Sequence, residues 1–180
     1  MNDTNFITPS SLQNVLQIKR PTIIDDRGFF RESVRTSAIE KEIGTPFVVV
    51  QANHARSTKN TLRGIHSAPW NKLIYVPRGI VQSVIVDLRK DSPTFGKHES
   101  FIIGEEDRTS IFVPAGCGNA YLVLSDDADY TYLTDQEWTP DKEYGIAWDD
   151  PTLGISWKFD TEPILSERDK NNLTFQERFH

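Results

Sequence analysis

The run Val81-Gln82-Ser83-Val84-Ile85-Val86-Asp87 is rich in β-branched residues, which pack well on a pleated sheet and lose side-chain freedom in a helix. Runs of similar character, β-branched or aromatic, lie at residues 45–51, 72–76, 99–103, 109–113 and 130–134. Turn-forming residues separate them, for example Pro77-Arg78-Gly79 and Pro114-Ala115-Gly116. Many short strands at nearly regular spacing predict a mostly β fold, an antiparallel barrel or double-sheet jelly roll.

Two short helices are predicted between and after these strands. The first spans residues 36–43, with Thr36 or Ser37 as its N-terminal cap and Gly44 just past its end. The second is a short turn at residues 166–171. Because no internal repeat or low-complexity linker divides the chain, residues 1–180 are predicted to form a single domain.

The composition excludes several classes of protein. The net charge of -6 provides no basic surplus for non-specific nucleic-acid binding. No apolar run approaches the roughly 18 residues of a membrane span, and residues 1–20 lack a signal-peptide pattern. The single Cys117 excludes an internal disulfide and a cysteine-based zinc site, and between two glycines it is more typical of packing than of nucleophilic chemistry. We therefore expect a cytoplasmic protein.

The segment Leu62-Arg63-Gly64-Ile65-His66 carries the first candidate chemistry. An imidazole that titrates near neutral pH is a natural general base, and an arginine is a natural anchor for phosphate. If both side chains face one cavity, the chain can bind an anionic substrate and move a proton on it. Taken alone, however, His66 is more simply interpreted as a core histidine bonded to a backbone carbonyl.

The pattern of histidines argues against a metal centre. A metal-binding cupin barrel needs a closely spaced histidine pair, and no His-x-His occurs among His54, His66, His98 and His180. The glycine-rich signatures of dinucleotide and nucleoside-triphosphate sites are also missing from the sequence. We therefore expect neither a metal nor a cofactor.

Other candidates each have a plainer interpretation when taken singly. Lys72 is an ordinary edge lysine, Tyr132 an ordinary core residue, and Asp169 an ordinary helix cap. Arg27 fits a surface salt bridge with the adjacent aspartates, and Trp138 fits the rim of a barrel.

An ordered series of motifs runs from about residue 24 to residue 169. The series comprises Asp26-Arg27-Gly28-Phe29-Phe30-x-Glu32, Gln51-x-Asn53, Leu62-Arg63-Gly64-Ile65-His66, Val86-Asp87-Leu88-Arg89-x-x-Ser92-Pro93-Thr94-Phe95-Gly96, Val113-Pro114-x-Gly116, Glu143-x-Gly145-Ile146-x-Trp148-x-Asp150-Pro151 and Leu165-Ser166-x-x-Asp169. Together these motifs resemble the dTDP-4-dehydrorhamnose 3,5-epimerase family of nucleotide-sugar epimerases. The resemblance implies a jelly-roll cupin that works as a homodimer with shared active sites, without metal or redox cofactor.

The resemblance also implies a reaction and roles for four residues. The substrate is a nucleotide-diphospho-4-keto-6-deoxy sugar inverted at C3, C5 or both, for deoxysugar and cell-surface polysaccharide (lipopolysaccharide) biosynthesis. His66 is the general base and Asp169 orients it; Lys72 stabilises the enolate oxygen; Tyr132 is the acid on the opposite face of the sugar. These types suit the chemistry, because an enolate needs a cation at its oxygen and inversion needs a proton from the other side.

The remaining positions implied by the resemblance bind the substrate. Arg27 and Arg63 would hold the pyrophosphate. The nucleotide base would be surrounded by residues partly supplied by the partner subunit: Phe30, Glu32, Gln51 and Trp138. The other expected substrate contacts are polar or charged: Asn53, Asn119 and Arg168.

The chain departs from the family pattern at three places. Asn119 stands where the family usually has a histidine, the loop at residues 67–71 is short, and Trp138 takes the place of a tyrosine. These differences leave the nucleotide base, the sugar and the inverted carbon open. A 3,4-ketoisomerase and a non-catalytic sugar-nucleotide binding module are the alternative functions.

Overall fold

The computed structural model describes residues 6–179, so residues 1–5 and His180 lie outside the described part of the chain. The strands are β1 Ile7–Pro9, β2 Leu16–Ile18, β3 Ile23–Asp25, β4 Gly28–Phe30, β5 Gln51–Thr58, β6 Leu62–Ser67, β7 Lys72–Arg78, β8 Ile80–Asp87, β9 His98–Gly104, β10 Ser110–Val113, β11 Cys117–Val123, β12 Asp127–Thr134 and β13 Tyr144–Gly145. The helices are α1 Thr36–Ile43, α2 Glu167–Lys170 and α3 Phe175–Phe179. None of these helices is long and apolar enough to cross a membrane.

Two antiparallel sheets face each other and enclose the main core. The first sheet has the strand order β1-β2-β10-β7-β12-β5, and the second has the order β13-β6-β11-β8-β9. Their facing sides meet in a cluster of buried apolar residues from both sheets, among them Ile74, Val76, Ile85, Ile111 and Val123. The prediction of a mostly β, antiparallel jelly roll is confirmed. Within the described residues, strands β3 and β4 pair only with each other and form a separate two-stranded ribbon.

The predicted strand at residues 45–51 is wrong, since only Gln51 belongs to one. Phe47 is buried because it packs on the outer face of the first sheet, with its ring edge-on to Phe112 at a centroid distance of 5.3 Å. Val48 and Val50 remain exposed. The other five predicted strands are present. Strand β11 was not predicted, because Gly116 and Gly118 flank its first residue, Cys117, and glycine is typical of turns.

Both predicted helices form, but the cap of α1 differs from the prediction. Its N-terminal cap is Arg35, without a side-chain cap bond, rather than Thr36 or Ser37. Gly44 ends it in the left-handed conformation, with φ of 73°. In α2, Ser166 is the cap and its hydroxyl accepts a hydrogen bond from the backbone N–H of Asp169.

Gly64 allows strand β6 to lie close against β11. It has φ of 131°, and a Cβ atom at this position would sit 2.3 Å from the Cβ of Ala120. Only glycine fits both the backbone angle and the space. The close approach sets His66 opposite Asn119 in the register of the two strands.

A buried carboxylate holds the loop that follows β8. Asp87 is fully buried and accepts hydrogen bonds from the side chains of Arg89, Ser92 and Thr94. Burial alone raises the pKa of Asp87, but these donors outweigh it and lower the pKa to about 2. The motif around residues 86–96 therefore has a structural role in this chain.

Candidate active site

A cavity of about 280 Å³ opens between the two sheets. His66 and Asn119 reach it from the second sheet, and Lys72 and Tyr132 reach it from the first. The residues that line it are Ala55, Arg63, His66, Lys72, Asn119, Tyr121, Tyr130, Tyr132, Trp138, Glu143 and Arg168. A larger, more open groove of about 460 Å³ is lined by other residues, including Lys19 and Asp107. The smaller cavity is thus the one that brings the candidate residues together.

His66 and Asp169 form a hydrogen-bonded pair in which Asp169 is buried and His66 is half-buried. Nε2 of His66 lies 2.6 Å from Oδ1 of Asp169, and the backbone N–H of Gly64 lies 3.5 Å from Oδ2. Burial raises the pKa of Asp169, but the bond from His66 and the smaller contributions of its other donors outweigh this and lower the pKa below its ordinary value. An ionised Asp169 can only accept, so Nε2 carries the proton and the lone pair of the neutral ring is on Nδ1.

Lys72 is buried in the wall opposite His66. Its Nζ lies 2.6 Å from Oδ1 of Asn119 and 3.4 Å from the carbonyl oxygen of His66. Burial lowers the pKa of Lys72 to about 8, with Glu143 opposing this shift and Arg168 adding to it. The interpretation as a solvated edge lysine is therefore wrong, because only 4% of this residue is exposed.

Three tyrosines line the cavity, Tyr121 from the second sheet and Tyr130 and Tyr132 from the first. The rings of Tyr121 and Tyr130 stack at a centroid distance of 3.9 Å, and the ring of Tyr132 lies 6.4 Å from that of Tyr130. Burial, followed by the negative charge of Glu143, raises the pKa of Tyr132. Its hydroxyl therefore keeps its proton at neutral pH and can donate it.

Two arginines bring positive charge to the mouth of the cavity. Nε of Arg63 donates to the hydroxyl of Ser57 at 3.1 Å, and that hydroxyl lies 3.2 Å from the hydroxyl of Tyr121. Nη1 of Arg168 lies 2.8 Å from Oε1 of Glu143. Both side chains keep guanidinium donors for an anion, since these bonds engage only one nitrogen of each.

Trp138, Gln51 and Asn53 form a bonded series at the rim. The amide oxygen of Gln51 accepts from the backbone N–H of Trp138 at 2.8 Å, and its amide nitrogen donates to Asn53 at 2.8 Å. The indole of Trp138 is half exposed and lines the cavity, whereas Gln51 and Asn53 lie beside it.

The structure does not bring Arg27, Phe30 and Glu32 into the cavity of their own chain. Arg27 and Phe30 lie on the ribbon, where Arg27 forms a 2.6 Å ion pair with Asp25. Glu32 pairs with Arg20 and Arg35, each at 2.6 Å. The salt-bridge interpretation of Arg27 is therefore correct within a single chain, with Asp25 as its partner.

Four lining residues were not predicted from the sequence: Ala55, Tyr121, Tyr130 and Glu143. Tyr121 lies two positions after Asn119, so recognition of β11 as a strand would have placed both side chains on the same face. Glu143 was part of a quoted motif but had no assigned role. Within residues 6–179, no group of three His, Cys, Asp or Glu side chains is arranged to hold a metal ion.

Sequence comparison matches most of the chain to one family. The sequence model described as dTDP-4-dehydrorhamnose 3,5-epimerase matches residues 9–177. A dTDP-4-dehydrorhamnose 3,5-epimerase of Pseudomonas aeruginosa is 37% identical, over 93% of this chain and 94% of the relative.

Structural comparison agrees with the sequence match. NovW from Streptomyces spheroides, a 4-keto-6-deoxy sugar epimerase, superposes with a TM-score of 0.91 at 32% identity, covering 95% of this chain and 87% of NovW. ChmJ from Streptomyces bikiniensis, a 3'-monoepimerase solved with dTDP-quinovose, superposes with a TM-score of 0.90 at 36% identity, covering 94% of this chain and 89% of ChmJ.

Proposed function

The chain belongs to the dTDP-4-dehydrorhamnose 3,5-epimerase family, and we propose that His66, Asp169, Lys72 and Tyr132 carry out its proton transfers. The protein is an isomerase, an epimerase of nucleotide-diphospho-4-keto-6-deoxy sugars in deoxysugar biosynthesis. From the resemblance we propose that the protein works in the cytoplasm. We also propose that it supplies a deoxysugar for a cell-surface polysaccharide such as lipopolysaccharide. The single observation that carries the mechanism is that a base and an acid enter one cavity from opposite sheets.

His66 removes the proton from the carbon next to the 4-keto group. Asp169 is ionised and accepts from Nε2, so the free lone pair of the imidazole is at Nδ1. The contact also stabilises the imidazolium that forms when Nδ1 takes the proton. The electron pair of the broken C–H bond moves toward the carbonyl oxygen and produces the enolate.

Lys72 stabilises the charge that develops on that oxygen. Its ammonium is buried, so its field is weakly screened and acts strongly on a nearby anion. A preorganised donor at the developing charge is usually the largest contribution to catalysis. The pKa of Lys72, although lowered to about 8, is still above 7, so Lys72 is mostly protonated at pH 7.

Tyr132 returns a proton from the opposite wall. It stands on β12 of the first sheet, whereas His66 stands on β6 of the second. A sugar bound between the sheets therefore has the base on one face and the phenol on the other, which is what inversion requires. Deprotonation by His66 and reprotonation by Tyr132 together invert one carbon.

Substrate binding is proposed for the charged and rim residues. Arg63 and Arg168 have free guanidinium donors for the pyrophosphate. The nucleotide base is proposed to lie by Trp138, Gln51 and Asn53, and the amide nitrogen of Asn119 is available to the sugar. A dTDP nucleotide is favoured because the similar ChmJ was solved with dTDP-quinovose.

The ribbon of β3 and β4 supports a homodimer. Its apolar side chains are exposed in the single chain: Ile23 is 64%, Ile24 73%, Phe29 55% and Phe30 71% exposed. Apolar surface of this kind is characteristic of an interface. We infer that a second copy covers the ribbon, which would bring Arg27, Phe30 and Glu32 to the cavity of that second copy.

Incorporation of solvent deuterium tests the proposed function. The purified protein is incubated in D₂O with dTDP-linked 4-keto-6-deoxy sugars, and label at C3 and C5 is followed by NMR. We expect label at one or both carbons, and loss of exchange in His66→Ala. A matched control is His54→Ala, because His54 lies on the other sheet and contacts Asp129 rather than the cavity.

The same spectra separate the alternative functions. A product whose carbonyl has moved to C3 would identify a ketoisomerase. Tight dTDP-sugar binding without exchange for any substrate would identify a binding module and reject the proposed mechanism. CDP- and GDP-linked sugars in the panel rank the nucleotide bases.

A further inference from the structure

A contact across the cavity joins Lys72 of the first sheet to Asn119 of the second. We propose that Asn119 is a positioning residue whose amide oxygen aims the Lys72 ammonium at the carbonyl oxygen of the bound sugar. The proposal rests on the function above and assigns to Asn119 a role that acts through another residue. It is carried by the 2.6 Å separation of Nζ and Oδ1.

The hydrogen-bonding capacity of the two groups determines their orientation. An ammonium has three donors and no acceptor, so the amide of Asn119 must present its oxygen to Lys72. A second N–H of Lys72 points to the backbone carbonyl of His66 at 3.4 Å. The tetrahedral geometry leaves one N–H for a substrate oxygen in the cavity.

An amide can hold the ammonium without neutralising it. The charged or titratable groups that face Lys72 are Glu143, Arg168 and Cys117, with His66 and Tyr132 in the same cavity. Glu143 is already paired with Arg168, and burial keeps the Cys117 thiol protonated by raising its pKa to about 12. The positive charge of Lys72 therefore remains available for the enolate.

The lowered pKa of Lys72 is consistent with a neutral acceptor. Burial is the largest cause of the shift to about 8. A carboxylate at 2.6 Å would have countered burial by favouring the charged form. Asn119 thus positions an ammonium that loses its proton as pH rises through about 8, so turnover should depend on pH in this range.

Titration of Lys72 tests the proposal without any substrate. In ¹³C-lysine-labelled protein, the Cε resonance of Lys72 is assigned with Lys72→Met and followed against pH. We expect Asn119→Asp to raise the pKa by about 1–3 pH units, because it places an opposite charge against the ammonium. Asn119→Leu is expected to lower it, since the acceptor is lost. Gln17→Glu, which adds a carboxylate on β2 outside the cavity lining, is expected to leave it unchanged.

Turnover provides the second readout. In wild type, kcat/KM, which reports the pKa values of the free enzyme, should fall as pH rises through about 8, and this alkaline limb should move upward in Asn119→Asp by the same shift. Asn119→Leu should lose about 10²-fold in kcat, the scale of a catalytic group displaced by about 1 Å, with a smaller change in KM.

The outcomes distinguish this proposal from the function on which it rests. An unchanged Lys72 pKa in Asn119→Asp, or an unaltered kcat and alkaline limb in Asn119→Leu, would overturn the positioning role. If Asn119→Leu does not fold, the isosteric Asn119→Asp decides alone: a Lys72 titration and an alkaline limb that both stay at their wild-type pH would overturn the contact on which the positioning role rests. Absence of exchange in wild type rejects the function, whereas the substrate-free titration still reports on Asn119.

Discussion

Nε2 of His66 lies 2.6 Å from Oδ1 of Asp169, although 103 positions separate the two residues in the chain. Asp169 is held by the short helix α2, whose Ser166 cap binds its backbone N–H. His66 is held on β6, where Gly64 permits close packing on β11. The hydrogen-bonded pair of His66 and Asp169 therefore forms only when the C-terminal segment has folded back onto the second sheet.

Replacing Asp169 by asparagine should remove most of the activity while the fold is retained. An amide no longer selects the tautomer with the proton on Nε2 and no longer stabilises the imidazolium. By analogy with the serine-protease aspartate, we expect kcat to fall about 10³- to 10⁴-fold. The rate of solvent deuterium incorporation measures the loss. Asp107→Asn is the control, because Asp107 forms an exposed ion pair with Lys19. A loss of less than tenfold would contradict the orienting role.

Replacing Lys72 by methionine should abolish exchange but stabilise the protein at neutral pH. The folded pKa, about 8, lies below the ordinary 10.5, so burying the charged form opposes folding below pH 8. The penalty is about 3 kcal/mol at pH 7 and falls to about 1 kcal/mol at pH 10, as the folded lysine loses its proton.

Urea unfolding of wild type and Lys72→Met at both pH values measures this penalty. We expect wild type to gain about 2 kcal/mol relative to the variant between pH 7 and pH 10. A difference that does not depend on pH would show that Lys72 is not desolvated in the folded state. Lys59→Met, at an exposed ion pair with Asp160, provides the comparison.

The Asp87 carboxylate should stabilise the fold above its unfolded pKa and lose this effect in acid. Its folded pKa of about 2 lies below the ordinary 3.8, so the stabilisation is present above 3.8 and disappears as pH falls through 2. The shift corresponds to about 2 kcal/mol. The difference in unfolding free energy between wild type and Asp87→Asn should shrink by this amount between pH 5 and pH 2. A constant difference would contradict the assigned ionisation.

Mixed dimers should reveal whether the ribbon completes the cavity of the second copy. His66→Ala and Arg27→Ala are each expected to be nearly inactive as pure proteins. A heterodimer of the two has one site with both an intact His66 and a native Arg27 from the partner. Random mixing of a two-fold dimer should therefore restore about a quarter of wild-type activity.

The double variant Ile24→Ser with Phe30→Ser tests the same interface through the size of the assembly, measured by sedimentation. It removes two of the most exposed apolar side chains of the ribbon. We expect sedimentation to shift toward the monomer. No recovery in the mixed dimers and an unchanged sedimentation coefficient would together reject a ribbon-mediated dimer.

Much of the fold was predictable because its central strands are buried and apolar. Strands β7, β8 and β10 carry continuous apolar runs, so a local window is sufficient to recognise them. Strand β5 was not recognised, because its polar sequence, QANHARST, reflects an edge position with alternate side chains exposed. The opposite error at residues 45–50 arose because exposed valines mimic a strand.

The chain of amino acids by itself determined the residue types of the chemistry and their order: a histidine after Arg63-Gly64-Ile65, a lysine six positions later, and a tyrosine and an aspartate much further on. Tertiary structure alone decided which of them meet. The Lys72–Asn119 contact spans two sheets and 47 positions, so no local periodicity encodes it. The burial that lowers the pKa of Lys72, and the placement of His66 and Tyr132 on opposite walls, are properties of two sheets packed together.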